Sequence, residues 1–418
     1  MPASNLFIKK GSILAYRLYD IAHEINLKKA QTLLESQALK NIRRYRLKKD
    51  PLRTITLREP PIIFSLDDEI VKVNVRDEFK EFNIHVEVKI WDYGVLSFRY
   101  LIELTEDLSW HDLVVVGSTL DANSVIDQLA VKKRDELILN LNDALKNPYT
   151  HSVFEDYTTY LIEEIEELHK DKENKTLIKT SVKDPLDILK KSAIPELLLS
   201  EPNRTLSEST KNSIRANYSQ YTNKDMLILD WNSALVMDFS KEKEYQDYVD
   251  IIEFSLAQLL ELRIYDQLLD EKLDELYDSM ETKQYAQVTT FYSRMSEESG
   301  RLYMEFSDFF EKLDNSIKTV GDFYLAKVLR SADKKFGFDE LKKSMSRKIE
   351  ALKDISSMCQ DKIDSLVDEQ RNQIAEHNAK INHRMEVIVI VLILIEVLPS
   401  LKHYLPKIIY FSWKWIAG

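Results

Sequence analysis

The residues able to do chemistry are few and far apart. Seven glycines stand at positions 11, 94, 117, 300, 321, 337 and 418. A phosphate-binding loop needs two glycines five apart so that backbone amides can wrap the anion, and a dinucleotide fingerprint needs three within six residues. Neither spacing occurs, and there is no Gly-x-Ser-x-Gly elbow. The eight histidines are equally dispersed. His377 and His383 are six apart, which turns them to different sides of a helix, and no paired-ligand spacing of the zinc-protease type is present. Cys359 is the single cysteine, so neither an intramolecular disulfide nor a Cys-based zinc site can form. It falls on an apolar seam, where a thiol is inert. These absences predict a non-enzyme without catalytic residues, cofactor or metal. An enzyme with a site around Trp91–Tyr93 and His111-Asp112 stays open as the alternative.

One carboxylate asks for a reason. Glu396 lies inside residues 385–398, the most apolar stretch of the chain, which is followed by Pro399. A charged carboxylate at a bilayer centre costs about 2.5–3.5 kcal/mol on insertion scales. Residues 385–401 are at the short limit of a transmembrane helix, so Glu396 would sit near one face. It reads as an interfacial or protonated group, as a helix–helix contact in an oligomer, or as the working residue of a membrane-complex subunit. Glu386 stands at the other end. Downstream, Lys402, Tyr404, Lys407, Tyr410, Trp413, Lys414 and Trp415 form an aromatic-basic tail suited to head-group depth. Glu386, Glu396, Trp413 and Trp415 are therefore the candidate membrane or oligomer contacts.

Charge marks a second candidate. Residues 1–60 carry 13 Lys and Arg against 5 Asp and Glu, although the whole chain is −12. Arg43, Arg44, Arg46, Lys48 and Lys49 concentrate this charge within residues 40–53. The stretch reads as a solvated loop or as a contact for RNA or anionic lipid; Tyr45 alone interleaves as an aromatic, a weak stacking platform.

The elements that must hold these groups follow from periodicity. Residues 12–19 and 62–66 read as strands, and 25–34 as a helix. Ile84, Val86, Val88 and Ile90 alternate, Gly94 permits a turn, and an apolar run follows over 95–104, which predicts a β-hairpin. Ser109 is a candidate helix cap. Residues 122–147 read as a helix, and 154–165 as a strand, with a helix left open. The order β-α-β-β-α-β over 1–165 predicts a split βαβ-like α/β head. Pro185, Pro195 and Pro202 mark 166–240 as a linker or insertion, with short strands at 225–229 and 234–237. Residues 241–337 read as a helical bundle and 338–384 as a coiled-coil stalk. Met345, Ile349, Leu352, Ser356, Cys359, Ile363 and Leu366 form its seam. The partner of that seam is either residues 240–281 of the same chain or a second chain. A transmembrane helix at 385–401 and an interfacial tail at 402–418 complete an α+β chain of head, long helical hairpin or coiled coil, and single C-terminal transmembrane helix.

Four stretches carry a likeness to a known family. They are Leu14-Ala-Tyr16 leading to Ile25-Asn-Leu27, Trp91-Asp-Tyr-Gly94-Val95, Gly321-Asp-Phe-Tyr-Leu325 with Val328, and His383-Arg-Met-Glu386 running into the apolar segment. In these the chain resembles the required-for-meiotic-nuclear-division family. The resemblance implies a single-pass, membrane-anchored, oligomeric protein without catalytic residues, and in mitochondrial relatives support of organellar translation. The N-terminus has no apolar core of signal-peptide length, so the body is expected to be cytoplasmic, at a bacterial cytoplasmic membrane. The expected function is a non-catalytic, membrane-anchored scaffold or adaptor whose cytoplasmic head binds a protein or ribonucleoprotein partner.

Overall fold

The computed structural model describes residues 5–37, 40–44, 55–57, 59–75, 78–104, 108–121, 124–149, 151–170, 177–241, 245–281, 288–314, 317–320 and 323–416. The chain splits into two compact units, Met1–Leu273 with Phe306–Ile349, and Asp274–Glu305 with Glu350–Gly418.

The first elements are β1 (Leu6–Asp20), β2 (Ala22–Ile25), α1 (Leu27–Ser36), β3 (Lys40–Arg44), β4 (Ile55–Leu57), β5 (Ile62–Ser65) and β6 (Glu69–Val75). Then come β7 (Glu78–Ile90), β8 (Val95–Glu103), β9 (Leu108–Ser109), α2 (Trp110–Asp121), α3 (Ser124–Leu141), β10 (Leu145–Pro148) and β11 (Phe154–Lys170). Next are β12 (Leu177–Ser181), α4 (Pro185–Lys191), α5 (Ile194–Leu198), α6 (Glu208–Ala216), β13 (Tyr218–Ser219), β14 (Asp225–Leu229) and β15 (Ser233–Asp238). The rest is α7 (Tyr245–Glu281), α8 (Val288–Asp314), β16 (Ile317–Val320), α9 (Phe323–Lys335) and α10 (Phe338–Ile416).

The first unit is organised on a mixed sheet of 12 strands, ordered β13-β14-β15-β11-β1-β8-β7-β5-β3, with β12, β6 and β9 paired alongside β11, β7 and β1. Its pairings are antiparallel except β11 with β15, which run parallel from Thr158↔Ser233 to Ile162↔Met237. β1 lies between β8 and β11. Its residues 11–20 are all buried, as a strand covered on both faces requires. One face, with Ile13, Ala15, Phe98, Ile102 and Ile162, shares a core with Ala30, Leu113, Ile126, Ile188 and Leu197 of α1 to α5. The opposite face meets α7 and the junction between α9 and α10, through Trp91 with Phe254, Tyr157 with Phe336, and Arg263 with Glu155. The sheet is thus the middle of three layers.

This architecture replaces the expected split βαβ head. The sheet does not stop at residue 165. Residues 166–240 supply β12, β13, β14 and β15 to it, and α4 to α6 beside them. Pro185 and Pro195 sit in the first turns of α4 and α5, where a missing N–H costs nothing. Asp184 caps α4 by accepting from Leu186 N at 2.9 Å. β7 and β8 form the hairpin, in register from Ile84↔Ile102 to Ile90↔Leu96. Gly94 turns it at φ 104°, where a Cβ would stand 1.8 Å from the Ala22 carbonyl oxygen.

The single-pass anchor is overturned as well. Among the described residues no helix is long and apolar enough to cross a membrane. α10 runs through residues 385–401 and past Pro399 to Ile416. Its uninterrupted apolar run is Val387–Ile395, nine residues between Glu386 and Glu396. At 1.5 Å per residue the run covers about 14 Å, against a hydrocarbon core of about 30 Å. The transmembrane helix and the single-pass membrane localisation drawn from it are withdrawn together.

In the second unit, Tyr292, Met295, Ser299 and Leu302 of α8 and Leu352, Ile355 and Cys359 of α10 are buried. Gly300 lets the helices approach, since a Cβ there would meet Ser356 Oγ at 3.4 Å. From Gln360 to Val397 no residue of α10 is buried.

Candidate functional site

Alternation along β7 sends His85, Glu87 and Lys89 to the α7 side of the sheet, opposite Leu101, Arg99 and Ser97 of β8. Lys89 is buried, yet its Nζ lies 2.9 Å from Asp250 Oδ1 and 2.8 Å from Glu253 Oε2, both on α7. Ser97 donates to the other oxygen of Glu253 at 2.5 Å. Arg99 pairs with Glu87, and Arg43 of β3 reaches the same carboxylate at 3.1 Å. Burial works against the Lys89 charge, but the two α7 carboxylates outweigh it and hold its pKa above the ordinary lysine value. Three cations (Lys89, Arg99, Arg43) thus face three carboxylates (Glu87, Asp250, Glu253).

A cavity of about 400 Å³ opens beside this cluster, lined by Asn41, Ser65, Leu66, Asp68, His85, Val86, Glu87, Arg99 and Leu101. His85 Nδ1 stands 2.9 Å from Asp68 Oδ1, which orients the imidazole, and Nε2 is 3.9 Å from Glu103. Such a pair can accept or deliver a proton. Ser65 lines the same cavity, where Asn41 Nδ2 approaches its hydroxyl at 3.5 Å. No hydrogen bond joins Ser65 to His85 among the described residues. Among those residues no group of three His, Cys, Asp or Glu is placed to hold a metal ion.

A second polar cluster is sealed inside. Glu261 of α7 is fully buried, and neither carboxylate oxygen has a hydrogen-bond partner among the described residues. Asp20, at the end of β1, is also buried and accepts from the Tyr149 hydroxyl at 2.6 Å. Burial pushes Asp20 up to about 7, against the hydrogen bonds from Tyr149 and the backbone. Burial, then Asp20 and Asp92, push Glu261 well above the carboxylate range. Asp92, in the β7–β8 turn, is raised by burial to about 6. Two interacting buried carboxyls hold protons near neutral pH because burial disfavours either charge and each carboxylate disfavours the other.

Of the residues singled out from sequence, Arg43 enters the first cluster and Asp92, within Trp91–Tyr93, acts on Glu261 of the second; the others stand apart from both. Arg43 pairs with Glu87, and Arg44 donates to the Pro60 carbonyl at 2.8 Å. Arg46, Lys48 and Lys49 lie outside the described residues. Trp91 is buried against Tyr93 and Phe254. His111 is exposed, and Asp112 accepts from Ser109 Oγ at 2.6 Å while its own amide donates to that oxygen at 3.1 Å, a helix cap. Glu386 and Glu396 are exposed on α10. Trp413 and Trp415 belong to the same helix, and their side chains lie outside what is described. The cavity and the sealed carboxyls escaped sequence reasoning. The available signal was the charged residues 85, 87 and 89 on the polar side of an otherwise buried strand.

A family model for the N-terminal domain of "Uncharacterized protein MJ0711" matches residues 10–244. The chain belongs to the MJ0711 N-terminal domain family. The family match takes in nearly all of β1 and runs through β15, so it includes the cavity and Asp20; it ends just before α7, which brings Asp250, Glu253 and Glu261. "Uncharacterized protein MJ0711" of Methanocaldococcus jannaschii is 22% identical over 300 residues, 71% of this chain and 80% of that protein. No solved structure matches. Membership in the MJ0711 family overturns the resemblance to the required-for-meiotic-nuclear-division family. That likeness rested on four short stretches, among them a hairpin turn and an apolar helix that many folds share.

Proposed function

We propose that the protein is a non-catalytic scaffold or adaptor that engages a protein partner through the exposed part of α10. One observation carries the reading. Val387–Ile395 is apolar on every side of the helix, and each residue is 46–61% exposed. A helix that is hydrophobic all round belongs inside an assembly. Full burial of one such side chain contributes about 1.5–3 kcal/mol, so covering nine half-exposed ones offers on the order of 10 kcal/mol.

The test is cross-linking of the full-length chain in cells, with mass spectrometry of the adducts. A defined protein adduct near Lys380 is expected, and Ile388→Lys with Ile395→Lys should abolish it. An unadducted chain would overturn the reading, as would a chain that floats with lipid vesicles and carries no protein adduct. A catalytic reading would rest on the His85–Asp68 pair. It would predict loss of an activity on His85→Gln with the fold intact.

A further inference from the structure

The exposed part of α10 has a period of its own. Val367, Ile374, Ile381, Ile388 and Ile395 are spaced seven apart over five consecutive heptads, and all are β-branched. Val367 is half-buried, and the four isoleucines are 60%, 44%, 55% and 61% exposed. The stripe does not extend the buried seam of the same helix. Leu352 and Cys359 of that seam are seven apart, and the step from Cys359 to Val367 is eight. At 100° per residue, eight residues turn the stripe by about 80° from the seam.

Charge is sorted around the stripe. With Val367 taken as position a, the carboxylates between it and Glu396 are Asp368, Glu369, Glu376, Glu386 and Glu396. They fall at b, c, c, f and b, all on the far side of the helix. The d positions are Gln370, His377, Arg384, Val391 and Leu398. β-branched residues at a favour two strands when Leu stands at d, which Leu398 alone supplies here, and polar residues within a seam fix register at a cost in stability. Polar layers at 370, 377 and 384 therefore select one alignment, and the apolar layers from 388 to 395 hold it.

We infer that α10 forms a parallel two-stranded coiled coil with α10 of a second copy of this chain, along Val367, Ile374, Ile381, Ile388 and Ile395. A second copy in register sets each β-branched residue of the stripe against its own kind and no carboxylate against another across the seam, at the cost of one d layer in which Arg384 meets Arg384. The stripe covers 29 residues, roughly 43 Å of helix. The inference rests on the scaffold reading and identifies its partner as the chain itself.

Light scattering of the full-length protein after size exclusion tests it. The native chain should have twice the 49.0 kDa monomer mass. Ile374→Lys with Ile381→Lys should halve that mass, whereas Ala375→Lys with Asn382→Lys, one position off the stripe, should leave it unchanged. Unaltered circular dichroism in both variants shows that the fold survives. Gln370→Cys should give an interchain disulfide on oxidation if the strands are parallel and in register. A monomeric native chain overturns the inference, as do a trimer, equal loss in both lysine pairs, or no covalent dimer from Gln370→Cys. A monomer that still cross-links to another protein sinks the coiled coil alone; a monomer without adducts sinks the scaffold reading too.

Discussion

Replacing Asp20 with Asn should flatten the pH dependence of the first unit's stability. The folded carboxyl is raised from 3.8 to about 7, chiefly by burial. Because the folded value lies above the unfolded one, its contribution is complete below about pH 3.8 and is lost as pH rises to about 7. Within that window each pH unit costs about 1.4 kcal/mol, so the native chain loses about 3 kcal/mol between pH 5 and pH 7 through this group. The amide of Asp20→Asn cannot ionise, yet it can still accept from the Tyr149 hydroxyl. It also removes a charge that raises Glu261, which works in the same direction. Urea unfolding of the full chain, followed by the fluorescence of the buried Trp91 and Trp110, gives the stability at pH 5 and pH 8. The variant should lose about 3 kcal/mol less than the native chain over that interval. Parallel losses in the two chains would show that Asp20 does not enter the fold protonated.

Gly94→Ala should lower stability by about 2 kcal/mol or more in thermal unfolding, since it combines a positive φ with a clash against Ala22. Lys89→Met leaves Asp250 and Glu253 buried without their lysine and should cost about 3–5 kcal/mol in urea unfolding; adding Asp250→Leu and Glu253→Leu should restore most of it. Cys359 is buried, which pushes its thiol up, so a disulfide reagent should modify it slowly in the native chain and fully in urea. Rapid modification without denaturant would place the thiol at the surface.

How much was legible depended on whether a residue's surroundings were local. The β7–β8 hairpin shows in the alternation of residues 84–90 and in Gly94, because turn and strand are set by neighbours in sequence. The Ser109 cap shows for the same reason, with its partner Asp112 three residues away. Pro185 misled because a proline reads alike as a breaker and as a first-turn residue; Asp184 before it was the discriminating signal. The cavity was illegible because it draws on residues from 41 to 101 across four strands. Glu261 was illegible because a carboxylate on a long charged helix looks solvated until the sheet covers it. The apolar run at 385–398 was plain in sequence, but nine uninterrupted residues were read as part of a span.

The polar groups between the sheet and α7 do what an apolar interface cannot. α7 meets the sheet with Ile252, Leu256, Leu259 and Leu260 buried, residues similar enough that a shift by one helical turn would still bury apolar side chains. Asp250 and Glu253 meet Lys89 near the start of the helix, and Arg263 meets Glu155 further along. From Asp250 to Arg263 the helix advances about 20 Å. A slide of one turn, about 5.4 Å, would part Asp250 and Glu253 from the buried Lys89 and Glu155 from Arg263, whose side chain is 32% exposed. Breaking the buried Lys89 set costs about 3–5 kcal/mol, and parting the partly exposed Arg263 from Glu155 adds a smaller, solvent-screened penalty. Buried pairs of this kind add little net stability over apolar replacements. Their effect is to admit one register of α7, which is the register that brings Glu261 against Asp20.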